Sequence, residues 1–221
     1  MPRRLVVIQP TLKLQCLGFM IGSSFFAVGS SPWLSERMSS ETDNLLFFIG
    51  AWFFTSAAFV QLVLSGSVRN ERGALRAVWL AAATQFFGTL LFNVSTGAAL
   101  RVETVLAQKH LVWAPDAEGS VAFLISAGFA LLVLVRSESL WGPRNDEWLS
   151  TWVNMLGCLA FGVSAIGAAV LPGGGIQNAT LANWGTFIGA LCFFGASAVM
   201  LPQALREKPD EATSEADGDL A

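Results

Sequence analysis

Six apolar stretches, roughly 14–32, 45–66, 77–98, 120–135, 151–172 and 180–202, contain no Asp, Glu, Lys, Arg or His. Every such residue falls between the stretches or at the ends of the chain. A helix needs about 20 apolar residues to cross ~30 Å of hydrocarbon. Five of the stretches approach or exceed that length, and the fourth, at 16 residues, is short. In water, helices this apolar would have to be hidden on all sides, which 221 residues cannot do for six of them. Only 13% of the chain is charged, against about 25% in a soluble domain. The pattern predicts an all-α polytopic membrane bundle. Its six transmembrane helices form three hairpins, 14–66, 77–135 and 151–202, in contact with the lipid bilayer.

The basic residues orient the bundle. With the first stretch running outward from the cytoplasm, the inner segments hold Arg3, Arg4, Lys13, Arg69, Arg72, Arg76, Arg136, Arg144, Arg206 and Lys208. The outer loops hold only Arg37, Arg101 and Lys109. Lys and Arg favour the cytoplasmic side of short loops, so both ends of the chain are expected there, in the cell membrane. Trp79, Trp141, Trp148 and Trp152 fall near the inner boundary and Trp33, Trp113 and Trp184 near the outer one, the depth that amphipathic rings prefer. Trp52 reads as ordinary packing. Residues 203–221 become polar and acidic and read as a disordered cytoplasmic tail.

The chain repeats itself at an offset of 139 residues. Asn44, Phe48, Ile49, Gly50 and Ala51 then fall on Asn183, Phe187, Ile188, Gly189 and Ala190. Phe54, Ala57, Val60 and Leu62 fall on Phe193, Ala196, Val199 and Leu201, and Leu17-Gly18 on Leu156-Gly157. The first hairpin therefore resembles the third, as expected of repeated architecture. A looser pattern places Phe four residues after Gly: Gly22 and Phe26, Gly50 and Phe54, Gly88 and Phe92, Gly157 and Phe161, Gly189 and Phe193. A small residue follows three positions later: Gly29, Ala57, Ser95, Ser164 and Ala196. Only the fourth stretch departs, with Ser126 and Ala130 in the corresponding places. Positions i, i+4 and i+7 share a helix face, so each helix offers a notch, a ring and a second notch. In lipid, burial from water cannot drive helices together, and close approach through small residues can. The expected role of these positions is helix packing.

The words "FMIGSSFFAVGS" (19–30), "FFIGAWFFTSAA" (47–58) and "TFIGALCFFGAS" (186–197) resemble the helical hairpin of YrhK-like membrane proteins. The middle hairpin, with "QFFGTLLFNVST" (85–96), fits less well. The resemblance implies an integral membrane protein without an assigned activity, and no functional residues carry over from it.

Little in the chain suggests chemistry. One His supplies neither a bis-His haem site nor a tetrahedral zinc site. Cys16, Cys158 and Cys192 lie in apolar stretches without CxxC spacing. Spans free of acidic and basic residues argue against proton or cation coupling. "PGGGI" (172–176) lacks the Lys and Ser/Thr of a phosphate loop and reads as a flexible turn. The loop 100–119 is expected to hold a short interfacial helix near 102–109, then a turn at Pro115–Asp116 that caps the fourth stretch.

The polar feature with most content is the stripe of Gln85, Thr89 and Asn93, with Thr96 beyond it. Amides in hydrocarbon need partners, and Gln61 and Asn154 on other helices are candidates. The stripe is either a hydrogen-bonded seam between helices or the lining of a path for an uncharged solute. The expected activity is accordingly that of a non-enzymatic structural or interaction protein, without cofactor or metal. The alternative is a channel or facilitator for a small uncharged solute. Expected partners are lipid and a second copy or another membrane protein, not nucleic acid.

Overall fold

The computed structural model describes residues 9–34, 37–137 and 145–206. It contains helices α1 (Leu12–Gly29), α2 (Ser40–Leu64), α3 (Ala77–Ala99), α4 (Val105–Ala107), α5 (Ala114–Arg136), α6 (Asp146–Gly167) and α7 (Ala179–Arg206). A π-helical segment, Gln108–Trp113, joins α4 to α5 without a break. Counting that rod (Val105–Arg136) once, six helices are each long and apolar enough to cross a membrane, as a multi-pass membrane protein requires. Among the described residues there is no strand, only isolated bridges between Arg69 and Leu75 and between Val170 and Ile176.

Local chemistry sets where the helices start. The side chains of Thr11, Ser39 and Asn145 accept from the N–H groups of Leu14, Thr42 and Glu147, satisfying donors that have no partner inside the helix. Glu41 and Asp43, and Asp146 and Glu147, occupy the first turns of α2 and α6, where acidic groups meet the positive end of the helix dipole.

Three expectations about turns and helix ends need correction. Pro115 and Asp116 are not a turn but lie within a continuous helix. A π turn leaves a carbonyl unclaimed, and Pro115, which lacks an N–H, is tolerated where the bonding pattern changes over. Residues 203–206 belong to α7, which continues past Pro202; the rest of the expected tail, like Arg3, Arg4, Trp141, Arg144 and Lys208, lies outside the described residues. The 172–176 turn is hydrogen-bonded rather than loose: the Leu171 N–H donates to the Gly175 carbonyl and the Gly174 N–H to the Leu171 carbonyl. Gly174 and Gly175 there take φ of +86° and +77°, which side chains resist.

The helices touch in chain order, α1–α2, α2–α3, α3–α5, α5–α6 and α6–α7, and α1 also touches α7, so the bundle closes into a ring. Its outside is apolar, with Ile21, Phe59, Phe87, Leu156, Ile166 and Leu191 exposed. Such a surface suits lipid and is a liability in water. Trp52 is on this outer surface, 54% exposed, rather than in the packed interior.

Backbones approach closely and reciprocally at three pairs of glycines. A Cβ on Gly22 would lie 2.9 Å from the Gly50 carbonyl oxygen, and one on Gly50 would lie 3.0 Å from that of Gly22 and 2.8 Å from Phe26. Gly88 and Gly119 stand in the same relation, each 3.1 Å from the other's carbonyl, with Phe123 over Gly88 and Phe92 over Gly119. Gly157 and Gly189 repeat it at 3.2 Å, with Phe161 over Gly189. The fourth stretch is therefore no exception. Gly119, Phe123 and Ser126 carry its notch, ring and second small residue, beginning one position before the stretch drawn from hydropathy.

Leu at Gly50 or Gly189 must push a ring and a neighbouring backbone aside, at a cost of about 1–3 kcal/mol. Gly128 is the control: it is helical, exposed, and has nothing within 4 Å of its added Cβ. In detergent, Gly50→Leu and Gly189→Leu are expected to melt below the parent and Gly128→Leu at or above it. Equal melting of all three would show that the glycine contacts carry no stability.

Candidate functional site

The ring of helices encloses a lumen divided into three parts. One end of the bundle, called the near end, carries the start of α1 and the finish of α7. A cavity of about 140 Å³ opens there, lined by Gln15, Gln61, Gln85, Asn154 and, among others, Phe193. At the far end a cavity of about 370 Å³ is lined by Asn44, Gln108, Trp113, Asp116, Asn183 and Thr186 above a floor of Phe26, Phe92 and Phe161.

Between them lie the six phenylalanines of the Gly-to-Phe spacing, one from each spanning helix. Phe26, Phe92 and Phe161 form a triangle with centroids 6.4, 6.1 and 5.9 Å apart. Phe54, Phe123 and Phe193 complete the plug: Phe26 to Phe54 is 5.3 Å, Phe92 to Phe123 is 5.0 Å and Phe161 to Phe193 is 5.4 Å. All six are buried. Each helix thus sends its ring inward from just beside its notch, so the spacing that brings helices together also fills the lumen. Most pairs are tilted or edge-on, the arrangement that ring quadrupoles favour by about 0.5–1.5 kcal/mol per pair. A void of about 10 Å³ remains between the rings and Thr89. That is at the lower limit for one water, and its walls offer almost no polar partner.

The polar stripe does not act as one unit. Asn93 Nδ2 donates to Thr55 Oγ1 at 2.7 Å, and the Thr55 hydroxyl donates in turn to the Thr89 carbonyl at 3.4 Å. Thr89 is fully buried and spends its own hydroxyl on the Phe86 carbonyl. These three residues form a dry seam between α2 and α3. Gln85, one turn away, instead faces the near cavity together with Gln61 and Asn154. Thr96 donates to the Phe92 carbonyl and lines the far cavity. Of the candidate path residues, therefore, Gln61, Gln85 and Asn154 meet in one cavity, and Thr89 and Asn93 do not join them. Asn44 and Asn183, equivalent at the 139-residue offset, share the far cavity, where Asn44 Nδ2 donates to the Ala99 carbonyl.

Three functional features escaped the sequence reading. Thr55 is the centre of the seam. Trp113, expected at the boundary, lines the far cavity, and its Nε1 donates to the Ala165 carbonyl at 2.9 Å, tying the π-helical segment to α6. Asp116, expected in a turn, places a carboxyl in the far cavity wall. The spans are thus not wholly free of acidic groups once the helix is extended to its true start. Running the notch-and-ring test a few residues before each apolar stretch would have found Gly119 and Phe123; nothing in the spacing marks Thr55. Among the described residues, no group of three or more His, Cys, Asp or Glu side chains is placed to hold a metal ion. Cys16, Cys158 and Cys192 form no disulfide with one another.

No protein-family model, curated protein or solved structure matches this chain.

The seam can be separated from the cavity by a double-mutant cycle. Thr55→Val and Asn93→Leu remove the two ends of one hydrogen bond. They are expected to couple by about 0.6–2 kcal/mol in thermal stability, the range for hydrogen bonds between membrane helices. Thr55→Val with Gln85→Leu is expected to be additive, since the two side chains share no partner. Coupling in the second cycle but not the first would reverse the assignment.

Proposed function

We propose that this protein is a passive facilitator for a small uncharged solute, non-enzymatic and without cofactor, in which the six phenylalanines form the gate. The observation that carries the reading is the division of one lumen into two polar cavities by a dry plug of aromatic rings. A hydrophobic constriction between wet compartments blocks ions, which cannot shed water there, and opens by small movements of side chains. A bundle serving only as scaffold has no need of polar cavities at both ends.

The same reading covers ancestry and orientation. The gate glycines recur at nearly even intervals: Gly22, Gly88 and Gly157 are 66 and 69 apart, and Gly50, Gly119 and Gly189 are 69 and 70 apart. Three copies of one YrhK-like hairpin, rather than a first and third alone, account for that rhythm. The 10-to-3 split of Lys and Arg puts the near end in the cytoplasm and the far end outside the cell membrane.

Orientation is tested with an impermeant thiol reagent, in a background lacking the native cysteines. Cysteine at position 177, exposed in the far-end loop, is expected to react in intact cells. Cysteine at position 72, exposed in the near-end loop, is expected to react only after the membrane is opened. Labelling of position 72 in intact cells would overturn the assignment.

Flux is tested in proteoliposomes by light scattering after a solute jump. The protein is expected to pass small neutral solutes faster than protein-free vesicles, with no ion conductance. Phe161→Leu, which shortens one gate ring, is expected to raise the rate several-fold. If parent and variant both match empty vesicles, the facilitator reading fails and the interaction-protein reading takes its place.

A further inference from the structure

We propose that the near cavity is a binding site for a small molecule carrying an amide group, with Gln61 and Gln85 as its recognising residues. The inference deepens the facilitator reading and rests on it only for its place on a path; binding itself stands or falls separately.

The starting observation is a pair of unspent groups. Gln85 is 4% exposed, and its Oε1 has no hydrogen-bond partner. Gln61 Oε1 is also buried without one. Buried polar oxygens nearly always find partners, and leaving one unpaired is costly. These two lie on different helices, α2 and α3, yet line the same cavity. Gln15 of α1 and Asn154 of α6 join them there, so amides from four helices converge on one space. They do not satisfy one another. Among the described residues, the one hydrogen bond these four side chains make is weak and local, from Asn154 Nδ2 to Cys158 Sγ at 3.8 Å.

Chemistry then selects the occupant. No charged residue lines the cavity, so an ion would enter unpaired at high cost. A carboxamide offers a carbonyl acceptor beside N–H donors in one plane. Its best complement is the same pair reversed, an N–H to meet the open Oε1 and a carbonyl to meet Nε2. Primary amides and ureas present that face; alcohols and ethers do not. Size narrows the choice further. About 140 Å³ is well below the ~300 Å³ at which pockets for drug-sized ligands begin, which limits the occupant to a few heavy atoms. The apolar boundary toward the gate, Phe19 and Phe193, leaves room for a methyl group on the side away from the amides.

The test uses acetamide and the purified full chain in lipid nanodiscs, read by saturation-transfer NMR at the acetamide methyl. The parent is expected to give transfer, and N,N-dimethylacetamide, which has no N–H, little or none. Gln61→Met with Gln85→Met keeps the volume and removes the amides; it is expected to lower the acetamide signal at least five-fold. Its melting temperature is expected to hold or rise, because no intramolecular hydrogen bond is lost. Asn93→Leu, in the dry seam, is the control and is expected to retain the signal. An equal signal in the double Met variant, an equal signal from the dimethyl compound, or none from the parent would each show that the cavity takes water only. Acetamide binding without flux would leave this site standing and remove the facilitator reading; flux unaltered by the Met pair would leave the facilitator reading standing and take this site off its path.

Discussion

Glycine-to-glycine contact between neighbouring helices is the constraint on which the rest of this bundle depends. Lipid competes with protein for apolar side chains on nearly equal terms, so what holds the helices is contact area at short range. At the three glycine pairs a Cβ would lie 2.9–3.2 Å from the partner glycine's carbonyl oxygen, so one or the other must give way. That closeness determines where the phenylalanines go. Each lies one turn along the helix from its own glycine, on the same face, and is directed at the partner helix and the axis together. One face of each helix therefore serves two purposes, backbone contact at the notch and closure of the lumen at the ring.

Closing six helices in a ring has a geometric consequence. Helices on opposite sides are too far apart for their backbones to meet, and something must fill the middle or leave it open. At the level of the glycines the rings fill it. Toward either end the rings no longer converge from all six helices, and the lumen opens into cavities whose walls include amides and hydroxyls. In the seam the donors are spent on nearby oxygens, as in the Asn93–Thr55–Thr89 relay, and Asn93 Oδ1 is left without a partner. At the near cavity Ser126 and Ser150 are likewise spent on helix carbonyls, whereas the open oxygens of Gln61 and Gln85 belong to residues that line a cavity with room for an occupant.

Much of this was legible in the chain. Six apolar stretches between charged loops follow directly from the mismatch between charge and hydrocarbon, and the spacing of Gly22 and Phe26 or Gly189 and Phe193 states a helix face outright. What was missed has physical causes. Hydropathy cannot see Pro115 and Asp116 as helical, because a π turn absorbs the missing N–H of proline and the carboxyl faces a cavity rather than lipid. For the same reason Gly119 fell outside the stretch it belongs to. The stripe Gln85, Thr89, Asn93 drifts around its helix by about 40° per step of four residues. Over two steps that is enough to turn Asn93 toward α2 while Gln85 turns to the lumen, and periodicity alone does not say which neighbour each will meet. Contact between α1 and α7 is a property of the closed ring, and no local signal carries it.

The two cavities differ in a way that bears on how a solute would be handled. The far one is larger and more varied, with a carboxyl, four kinds of amide-bearing or hydroxyl side chain and an indole held by the π-helical segment. The near one is smaller, and its polar side chains are amides and hydroxyls without a charged group. A wide, mixed vestibule admits many solutes and discriminates weakly, because few of its groups can be met at once. A narrow cavity with unpaired amides discriminates strongly, because a solute that fails to pair leaves their cost unrelieved. Selection would then be made on one side of the gate and exclusion of ions at the gate itself. That separation suits passive movement: the aromatic plug need recognise nothing, and only has to be dry.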